Sequence, residues 1–339
     1  MLEKISDANF PIDSQGRTYH VSTARGSTAN RVLTVGDPAR LHRIANLLDD
    51  SPAPYERVSA RGFTTVTGRY KGVPVSLIAI GMGVAMTDFF VREVRAVVEG
   101  ELAIVRFGSC GSLDPTFHVG SLGVPEESVT ISTNYDYFHD SRSSDQPPYL
   151  VSAPIKADPE LHEHLLSMVK GSMADSQTSV RSVSHASADT FYASQGRNDP
   201  NFEDANEDLL AHLGRVYPKC ASLEVSPAAF LSRVREKVLT VCVIGLWFPN
   251  QMETAHLLHL ATRAKPLDST RGPSIRAAAV HMVFAGRASS GEQGDFIDPD
   301  RVAVLEPKVG RACLDALVAW KIDDRNLHPE AGSVWEKKA

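Results

Sequence analysis

The chain is poor in cysteine, in excess charge of one sign and in long hydrophobic stretches. Its four cysteines among 339 residues form no CxxC pair and no Cys/His ligand spacing, so we expect reduced thiols of an intracellular protein. A net charge of −6 gives no support for nucleic-acid binding through a basic surface. The apolar run at 239–248 is about half the length of a membrane span, and the N-terminus lacks the apolar core of a signal peptide. These shortages predict a cytoplasmic protein without nucleic-acid or membrane partners.

What the chain does contain is a regular alternation of apolar strands and amphipathic helices. The runs predicted as strands are 31–35, 63–69, 73–80, 102–107, 119–124, 128–131, 182–188 and 275–284. The segments with helical spacing are 39–48, 87–98, 161–169, 209–213, 254–262 and 309–320. Apolar strands that alternate with helices predict a three-layer α/β/α sandwich around a central mixed β-sheet. The polar tail at 323–339 is expected to be loosely held.

Two strand ends carry glycine and arginine in a pattern that suits an anion. The turn G-D-P-A-R at 36–40 places a glycine amide and Arg40 at the opening of a helix, where free N–H groups and a positive dipole attract anions. Arg106 ends a second strand, and the following G-S-C-G at 108–111 sets the Ser109 hydroxyl among glycines. This combination suits a tetrahedral oxyanion. The alternative in each place is an ordinary turn with a surface or ion-paired arginine.

A third motif is interrupted. Residues 222–224, S-L-E, end a predicted strand, and residues 252–258, M-E-T-A-H-L-L, open a predicted helix. Joined, they form a strand end that runs into an amphipathic helix, with two carboxylates on either side of a methionine.

From about residue 20 to residue 320, these motifs and R-G-F-T-T at 61–65 resemble, in order, the nucleoside phosphorylases of the uridine phosphorylase type. The resemblance implies a phosphate site whose ligands are Gly36, Arg40, Arg106 and Ser109, with Arg61 of the partner subunit. It implies a ribose site whose ligands are Glu224, Met252 and Glu253, with His20 of the partner subunit. A purely structural role is the alternative for His20. Because two ligands come from a neighbour, the active unit is expected to be a homo-oligomer, at least a homodimer.

The segment S-A-D-T-F-Y-A-S-Q-G-R at 187–197 resembles the base site of the same family. For a uracil base, the Phe191 ring can stack on the base and the Gln195 amide can pair with its O2/N3 edge. Arg197 can hydrogen-bond O4 and stabilise negative charge on the leaving base. Arg287 stands where pyrimidine members carry an arginine and purine members an aspartate, so it favours a pyrimidine. A polar loop is the alternative for this segment.

The sequence departs from the family at three places. Cys110 replaces a second small hydroxyl residue, and Gly286 replaces an asparagine. Gly62 replaces a glutamate that in some members helps to hold a monovalent cation at the dimer interface. We therefore predict no metal and no organic cofactor, with inorganic phosphate as a co-substrate.

The resemblance implies phosphorolysis of uridine to uracil and ribose 1-phosphate. Phosphate attacks C1′, and uracil leaves as an anion. The alternatives within the fold are a nucleosidase that uses water and a purine nucleoside phosphorylase. A non-catalytic nucleoside-binding or storage protein is a third. Thymidine and deoxyuridine remain open beside uridine as substrates.

Residues 225–251 interrupt the ribose motif and do not resemble the family. Val225-Ser226 can be encoded by GTAAGT and Gln251 by CAG, the sequences at the two ends of an intron. We therefore predict one domain at 20–320, interrupted by a translated eukaryotic intron at 225–251, with terminal extensions at 1–19 and 321–339. A genuine loop insertion is the alternative. It is expected to hold Glu224 and Glu253 apart, and misplaced ligands cost much of an enzyme's rate.

Overall fold

The structure of the chain is a computed structural model, which describes residues 6–139, 146–224, 253–267, 272–287 and 296–337. The described strands are β1 Arg31–Val35, β2 Tyr55–Val58, β3 Thr64–Tyr70, β4 Val73–Ala79, β5 Leu102–Ser112, β6 Leu122–Thr133, β7 Tyr149–Val151, β8 Ile155–Lys156, β9 Val180–Ala188, β10 Cys220–Glu224 and β11 Ile275–Gly286. The described helices are α1 Pro38–Ala45, α2 Val84–Val97, α3 Pro159–Ser172, α4 Leu209–Val216, α5 Glu253–Arg263 and α6 Pro299–Ala319. None of these helices is long and apolar enough to cross a membrane.

The described strands form one mixed sheet, part of which closes on itself. β1 lies parallel to β4 on one side and to β5 on the other, and β3 and β2 extend the β4 edge in antiparallel fashion. Beyond β5 the order is β11, β6, β9 and β10. β10 then pairs back with β5, with Glu224 opposite Cys110. This ring of five strands brings the ends of β5, β10 and β11 together, and the candidate site lies there.

Successive residues of the central strands face two different helical layers. Leu33 and Val105 pack in a cluster with residues of α1, α3 and α6. Val32 and Ile104, one residue earlier in each strand, pack in a cluster with residues of α2 and α5. All four side chains are fully buried. The two-residue period of a strand thus supplies both faces with apolar side chains, and the predicted α/β/α sandwich is confirmed.

Three helices begin with the same Asp-Pro pair. The side chains of Asp37, Asp158 and Asp298 accept hydrogen bonds from backbone amides of the first turns of α1, α3 and α6. A proline follows each of them at the first helical position, where its missing N–H costs nothing. In α1 this arrangement sets Gly36 and Arg40 on either side of the helix start.

Three predicted boundaries are wrong, each because of a tertiary contact. The predicted turn at 108–111 is strand, since the second half of β5 pairs with β10 and β11. The strands predicted at 119–124 and 128–131 are the single strand β6, which pairs with β9 along most of its length. Helix α6 begins at Pro299 rather than near 309 and continues through Pro307. A proline inside a helix normally breaks it, but here Leu305 and Val309 remain packed in the core.

The C-terminal tail is not loosely held. Trp335 is 1% exposed, and its carbonyl accepts a hydrogen bond from Arg69. The Asn30 side chain accepts one from the His328 amide. The polar composition of the tail predicted the opposite, because a single tryptophan supplies the apolar area that packs the segment against the rest of the protein.

Candidate functional site

The Arg106 guanidinium lies between two buried carboxylates at the centre of the site. Its Nη2 donates to Glu253 Oε2 at 2.8 Å, and its Nε lies 3.5 Å from Glu224 Oε1. Arg106 comes from β5, Glu224 from the end of β10 and Glu253 from the first residue of α5. The Gly83 amide, at the start of α2, donates to Glu253 Oε1 at 2.7 Å. One guanidinium thus serves two interior carboxylates, and the cluster is one negative charge in excess when both are ionised.

The two carboxylates have opposite acidities. Burial alone raises the pKa of Glu224, but interactions with His185 and Arg106 outweigh it and hold that pKa well below its usual range. Burial raises the pKa of Glu253 to about 7; Arg106 opposes this rise and the negative charge of Glu224 adds to it. Near neutral pH, Glu224 is therefore ionised, whereas Glu253 divides between its two forms.

Two fully buried histidines flank Glu224. His185 of β9 and His281 of β11 have ring centroids 4.4 Å apart. His185 Nε2 lies 3.9 Å from Glu224 Oε2, and its Nδ1 is 2.8 Å from the Ser222 hydroxyl. The Thr254 hydroxyl lies 2.6 Å from Glu224 Oε1 and 2.9 Å from His281 Nε2. Of these groups, only the Thr254 hydroxyl lies within close hydrogen-bond distance of the carboxylate, and the two histidines stand on either side of it at about 4 Å.

The same three side chains have the chemistry of a metal site. Ligand atoms of His185, Glu224 and His281 lie within 4.8 Å of one another, and two histidines with a glutamate form a common zinc donor set. Two contacts favour a charge network instead. Arg106 already lies against Glu224, and Thr254 already engages His281 Nε2. A second cation at this point would meet the guanidinium at close range.

Three of the predicted phosphate ligands, Arg40, Arg106 and Ser109, lie on β5 or against it. The Arg40 guanidinium stacks over the Phe107 ring at 4.7 Å, its Nη1 lies 3.4 Å from the Phe107 carbonyl, and its Nε donates to Glu306 at 2.8 Å. Arg106 and Ser109 are both on β5 and both nearly fully buried. Arg106 Nη1 makes no hydrogen bond within the described residues. Gly36 lies where a Cβ atom would come within 3.1 Å of the Gly81 carbonyl, so a side chain there would crowd the neighbouring backbone.

The predicted base ligands form a second cluster. The Arg197 guanidinium lies 4.2 Å above the Phe191 ring, so one face of that ring carries Arg197. Gln195 is fully buried, and its Nε2 has no hydrogen-bond partner among the described residues. Its Oε1 lies 3.4 Å from Arg197 Nε. Burial lowers the pKa of Arg287 to about 10, and the nearby positive charge of Arg197 adds to the effect. Two guanidinium groups therefore belong to this cluster, and neither has a carboxylate partner among the described residues.

Local hydrogen bonds hold the loop that carries these residues. The Thr190 and Ser194 hydroxyls bond each other and each other's backbone, which closes a short turn. Gly196 then adopts a left-handed φ of 62°, and a Cβ atom there would come within 3.2 Å of Leu210. The Asn206 side chain donates to the carbonyls of Ala193 and Arg197. The T-F-Y-A-S-Q-G-R spacing thus encodes a turn that holds the predicted base ligands in place.

The two residues predicted to act in a neighbour's site lie together at another place. Arg61 is exposed, and it donates to the Tyr19 hydroxyl at 2.6 Å. The His20 ring is stacked on Phe89 at 3.6 Å, and its Nδ1 lies 2.6 Å from Glu93. None of the described contacts of Arg61 or His20 involves the Arg106 cluster. Tyr19 contacts both the Arg61 guanidinium and the His20 ring, so the two side chains lie in one part of the structure.

Met252 and the segment 225–251 lie outside the described residues. The expectation that this segment would hold Glu224 and Glu253 apart is wrong, because both carboxylates contact Arg106. The Thr254 amide lies 3.3 Å from Glu224 Oε1, which joins β10 to α5 directly.

Sequence reasoning missed four contributors to the cluster, namely Gly83, His185, Thr254 and His281. A signal existed for two of them. The histidine at 281 is a polar interruption of the apolar strand β11, and Gly83 follows Gly81 between a strand and a helix. Nothing in the local pattern distinguishes His185 or Thr254, because their roles depend on strands that are distant in sequence.

Comparison with known proteins gives relatives of two kinds. A uridine phosphorylase of Thermococcus kodakarensis is 30% identical over 198 residues, which cover 58% of this chain and 64% of that protein. A DeoD-type purine nucleoside phosphorylase of Streptococcus uberis is 37% identical over 116 residues, which cover 34% of this chain and 47% of that protein. This chain thus matches less than two thirds of the length of either relative.

Solved structures match a larger share of the chain. A uridine phosphorylase of the oomycete Phytophthora capsici has a TM-score of 0.78 and 33% identity, and the match covers 94% of this chain and 100% of that one. A nucleoside phosphorylase of Trypanosoma brucei has a TM-score of 0.66 at 20% identity, which shows the shared fold. The family model of the phosphorylase superfamily matches residues 30–246, more than half of the sequence. The chain therefore belongs to the phosphorylase superfamily.

Proposed function

We propose that this chain is a uridine phosphorylase, which converts uridine and phosphate to uracil and ribose 1-phosphate. The observation that carries the proposal is the pairing of Arg106 with Glu224 and Glu253, together with a second cluster that contains Gln195, Arg197 and Arg287. The Thermococcus and Phytophthora relatives, both uridine phosphorylases, support it. We further propose a cytoplasmic location and a reaction without metal or organic cofactor.

The first subsite takes the anion. Arg40, Arg106 and Ser109 bind phosphate at the end of β5, and the Gly36 turn lets the backbone approach it. Arg106 also touches both carboxylates, so it links the phosphate to the sugar. Glu224, Glu253 and Met252 bind the ribose, and the carboxylates accept hydrogen bonds from its hydroxyl groups. Phosphate oxygen is thereby aimed at C1′, and this positioning supplies much of the rate enhancement.

The second subsite takes the leaving group. As the bond from phosphate oxygen to C1′ forms, the bond from C1′ to N1 of the base breaks, and its electron pair stays on uracil. Arg197 and Arg287 lie where that negative charge develops, and Gln195 bonds the edge of the ring. Preorganised donors of this kind commonly lower a barrier by several kcal/mol, about 10²- to 10³-fold per donor.

We propose a homodimer in which Arg61 and His20 complete the partner's site. A mixing experiment tests this. Arg61→Ala and Arg197→Ala subunits are each expected to be nearly inactive alone. Mixed dimers would contain one site with neither defect, and about a quarter of wild-type activity should return if sites are shared as proposed and subunits exchange freely. Absence of any recovery in verified heterodimers would contradict donation across the interface.

We also propose that 225–251 is a translated intron. The splice-like codons at its ends and the break in the ribose motif support this. Sequencing of cDNA across codons 224 and 252 tests it. A dominant message that retains the segment would contradict the idea.

The test of the function is uracil release from uridine, with and without phosphate, by the full chain and by a chain lacking 225–251. We expect release that requires phosphate. Release without phosphate would identify a nucleosidase, and binding of uridine without release by either chain would identify a storage protein. The Streptococcus relative makes a purine phosphorylase the second candidate, and turnover of inosine in preference to uridine would identify it.

A further inference from the structure

One threonine hydroxyl lies between Glu224 and His281. Thr254 Oγ1 is 2.6 Å from Glu224 Oε1 and 2.9 Å from His281 Nε2. The threonine and the histidine are fully buried, and the glutamate is 1% exposed. Thr254 is also the second residue of α5, and its amide lies 3.3 Å from the same carboxylate oxygen. The three groups form a continuous chain from β11 through α5 to β10.

The number of protons on each group fixes which group donates in this chain of hydrogen bonds. A threonine hydroxyl has a single hydrogen, and an ionised carboxylate can only accept. Thr254 therefore donates to Glu224, and its own acceptor lone pair faces His281 Nε2. Burial lowers the pKa of His281 well below its ordinary value, so the ring is neutral and carries one hydrogen. That hydrogen must lie on Nε2, which fixes one of the two tautomers.

The contacts fall unequally on the two oxygens of Glu224. Oε1 receives the Thr254 hydroxyl and lies 3.5 Å from Arg106 Nε. The nearest described donors to Oε2 are the Thr254 amide at 3.5 Å and His185 Nε2 at 3.9 Å, at or beyond the limit of a hydrogen bond. Oε2 thus keeps its capacity to accept from a sugar hydroxyl, while Oε1 is used to hold the carboxylate in place.

We infer that Thr254 and His281 are positioning residues that fix Glu224 for ribose binding through the chain His281 Nε2–H to Thr254 to Glu224 Oε1. The inference rests on the uridine phosphorylase function proposed above. It assigns His281 a role that packing alone does not require, because an apolar residue would fill a buried strand position without a polar group to satisfy.

Kinetics of the full chain test the inference. In Thr254→Val the shape is kept and the hydroxyl is lost, so we expect kcat/KM for uridine to fall about 10- to 100-fold, the usual effect of losing a hydrogen bond to a charged group. KM for phosphate should stay within about twofold, because no phosphate ligand is touched. Thr254→Ser keeps the hydroxyl and should retain most activity. His281→Ala should follow Thr254→Val, and His281→Gln, which keeps a donor near Nε2, should be milder.

A matched control separates positioning from packing. His162 of α3 is also nearly fully buried, with Nδ1 3.0 Å from the Pro125 carbonyl and Nε2 3.1 Å from the Ser182 hydroxyl, and it makes no described contact with the site. His162→Ala should lower the melting temperature as His281→Ala does, with kcat/KM for uridine unchanged. If Thr254→Val and His281→Ala lose no more kcat/KM than His162→Ala, the inference is overturned.

Nitrogen NMR of ¹⁵N-histidine-labelled full chain gives a readout independent of turnover. A neutral His281 protonated on Nε2 between pH 6 and 8 is expected, with a changed Nε2 signal in Thr254→Val. An Nδ1-protonated or charged ring would overturn the inference whether or not the enzyme is active. If the wild-type chain released no uracil in the presence of phosphate, the proposed function would be contradicted instead. The kinetic assay detects that outcome, and the NMR experiment does not depend on it.

Discussion

In the half of the candidate site that is proposed to bind ribose (the ribose half), a buried arginine is paired with carboxylates. In the half that is proposed to bind the base (the base half), two half-buried arginines have no carboxylate partner among the described residues. Arg106 contacts Glu224 and Glu253 at 3.5 and 2.8 Å. Arg197 lies over an aromatic ring, and Arg287 has a pKa lowered by burial and by Arg197. The ribose half is therefore organised before a ligand arrives. The base half stores unbalanced positive charge, which suits an anion that appears only during the reaction.

The largest effect should come from removing the arginine that is paired with carboxylates in the ribose half. Arg106→Met leaves two carboxylates buried without a cation, so we expect the free energy of unfolding to fall by about 3–5 kcal/mol. Activity should fall by at least about 10³-fold, because the phosphate and ribose ligands are disrupted together. Denaturant unfolding and uracil release measure the two losses. A variant with wild-type stability would show that the carboxylates do not depend on Arg106.

A smaller effect is expected in the base half, where activity should fall without a loss of stability. Arg197→Met should lower kcat by about 10²- to 10³-fold, because charge on the leaving base loses a donor. Its melting temperature should stay equal or rise, since repulsion with Arg287 disappears. Arg181→Met is the matched control, because Arg181 also lies over a ring, that of Phe117 at 4.3 Å, but is paired with Asp114 at 2.6 Å. It should keep kcat, and a lower kcat there would contradict the comparison.

The smallest effect concerns how KM for uridine depends on pH through Glu253 of the ribose half. Since the pKa of Glu253 is raised to about 7, its ionised form is lost as the pH falls through that value. KM for uridine should therefore increase below pH 7, and the increase should be absent in Glu253→Gln.

Stability should respond with the opposite sign. The folded-state pKa of Glu253 exceeds its ordinary value of 4.5, so the stability linked to its protonated form is complete below pH 4.5 and is lost as the pH rises through 7. Thermal unfolding of the wild type and of Glu253→Gln between pH 5 and 8 measures this loss. A melting temperature that rises with pH in the wild type relative to the variant would refute the assignment.

Much of the fold was predictable because local patterns carried it. The strands at 31–35 and 182–188 and the helix at 254–262 lie within two residues of the observed β1, β9 and α5. Errors arose where a distant strand altered a local preference. Glycines at 108 and 111 predict a turn, yet pairing with β10 and β11 keeps β5 extended.

The candidate site divides in the same way. Arg106, Glu224, Glu253, Gln195 and Arg197 belong to motifs that are short in sequence, and the structure gathers the first three into one cluster and the last two into another. We expected the segment 225–251 to hold the two carboxylates apart, and this expectation was wrong. Spacing along the chain does not measure distance in space, since hydrogen bonds between Thr254 and Glu224 join α5 to β10.

The sequence by itself determined the alternation of strands and helices, the turn at Gly36 that opens α1 and the chemical types of the candidate site residues. These follow from side-chain period, backbone preference and functional groups, which are properties of neighbouring residues. The tertiary structure alone decided that His185 and His281 flank Glu224, that Trp335 docks the tail and that Arg106 serves two carboxylates. The first and the third depend on the closure of five strands into a ring, which brings together β5, β9, β10 and β11 from between residues 102 and 286. The second depends on β3, whose Arg69 donates to the Trp335 carbonyl.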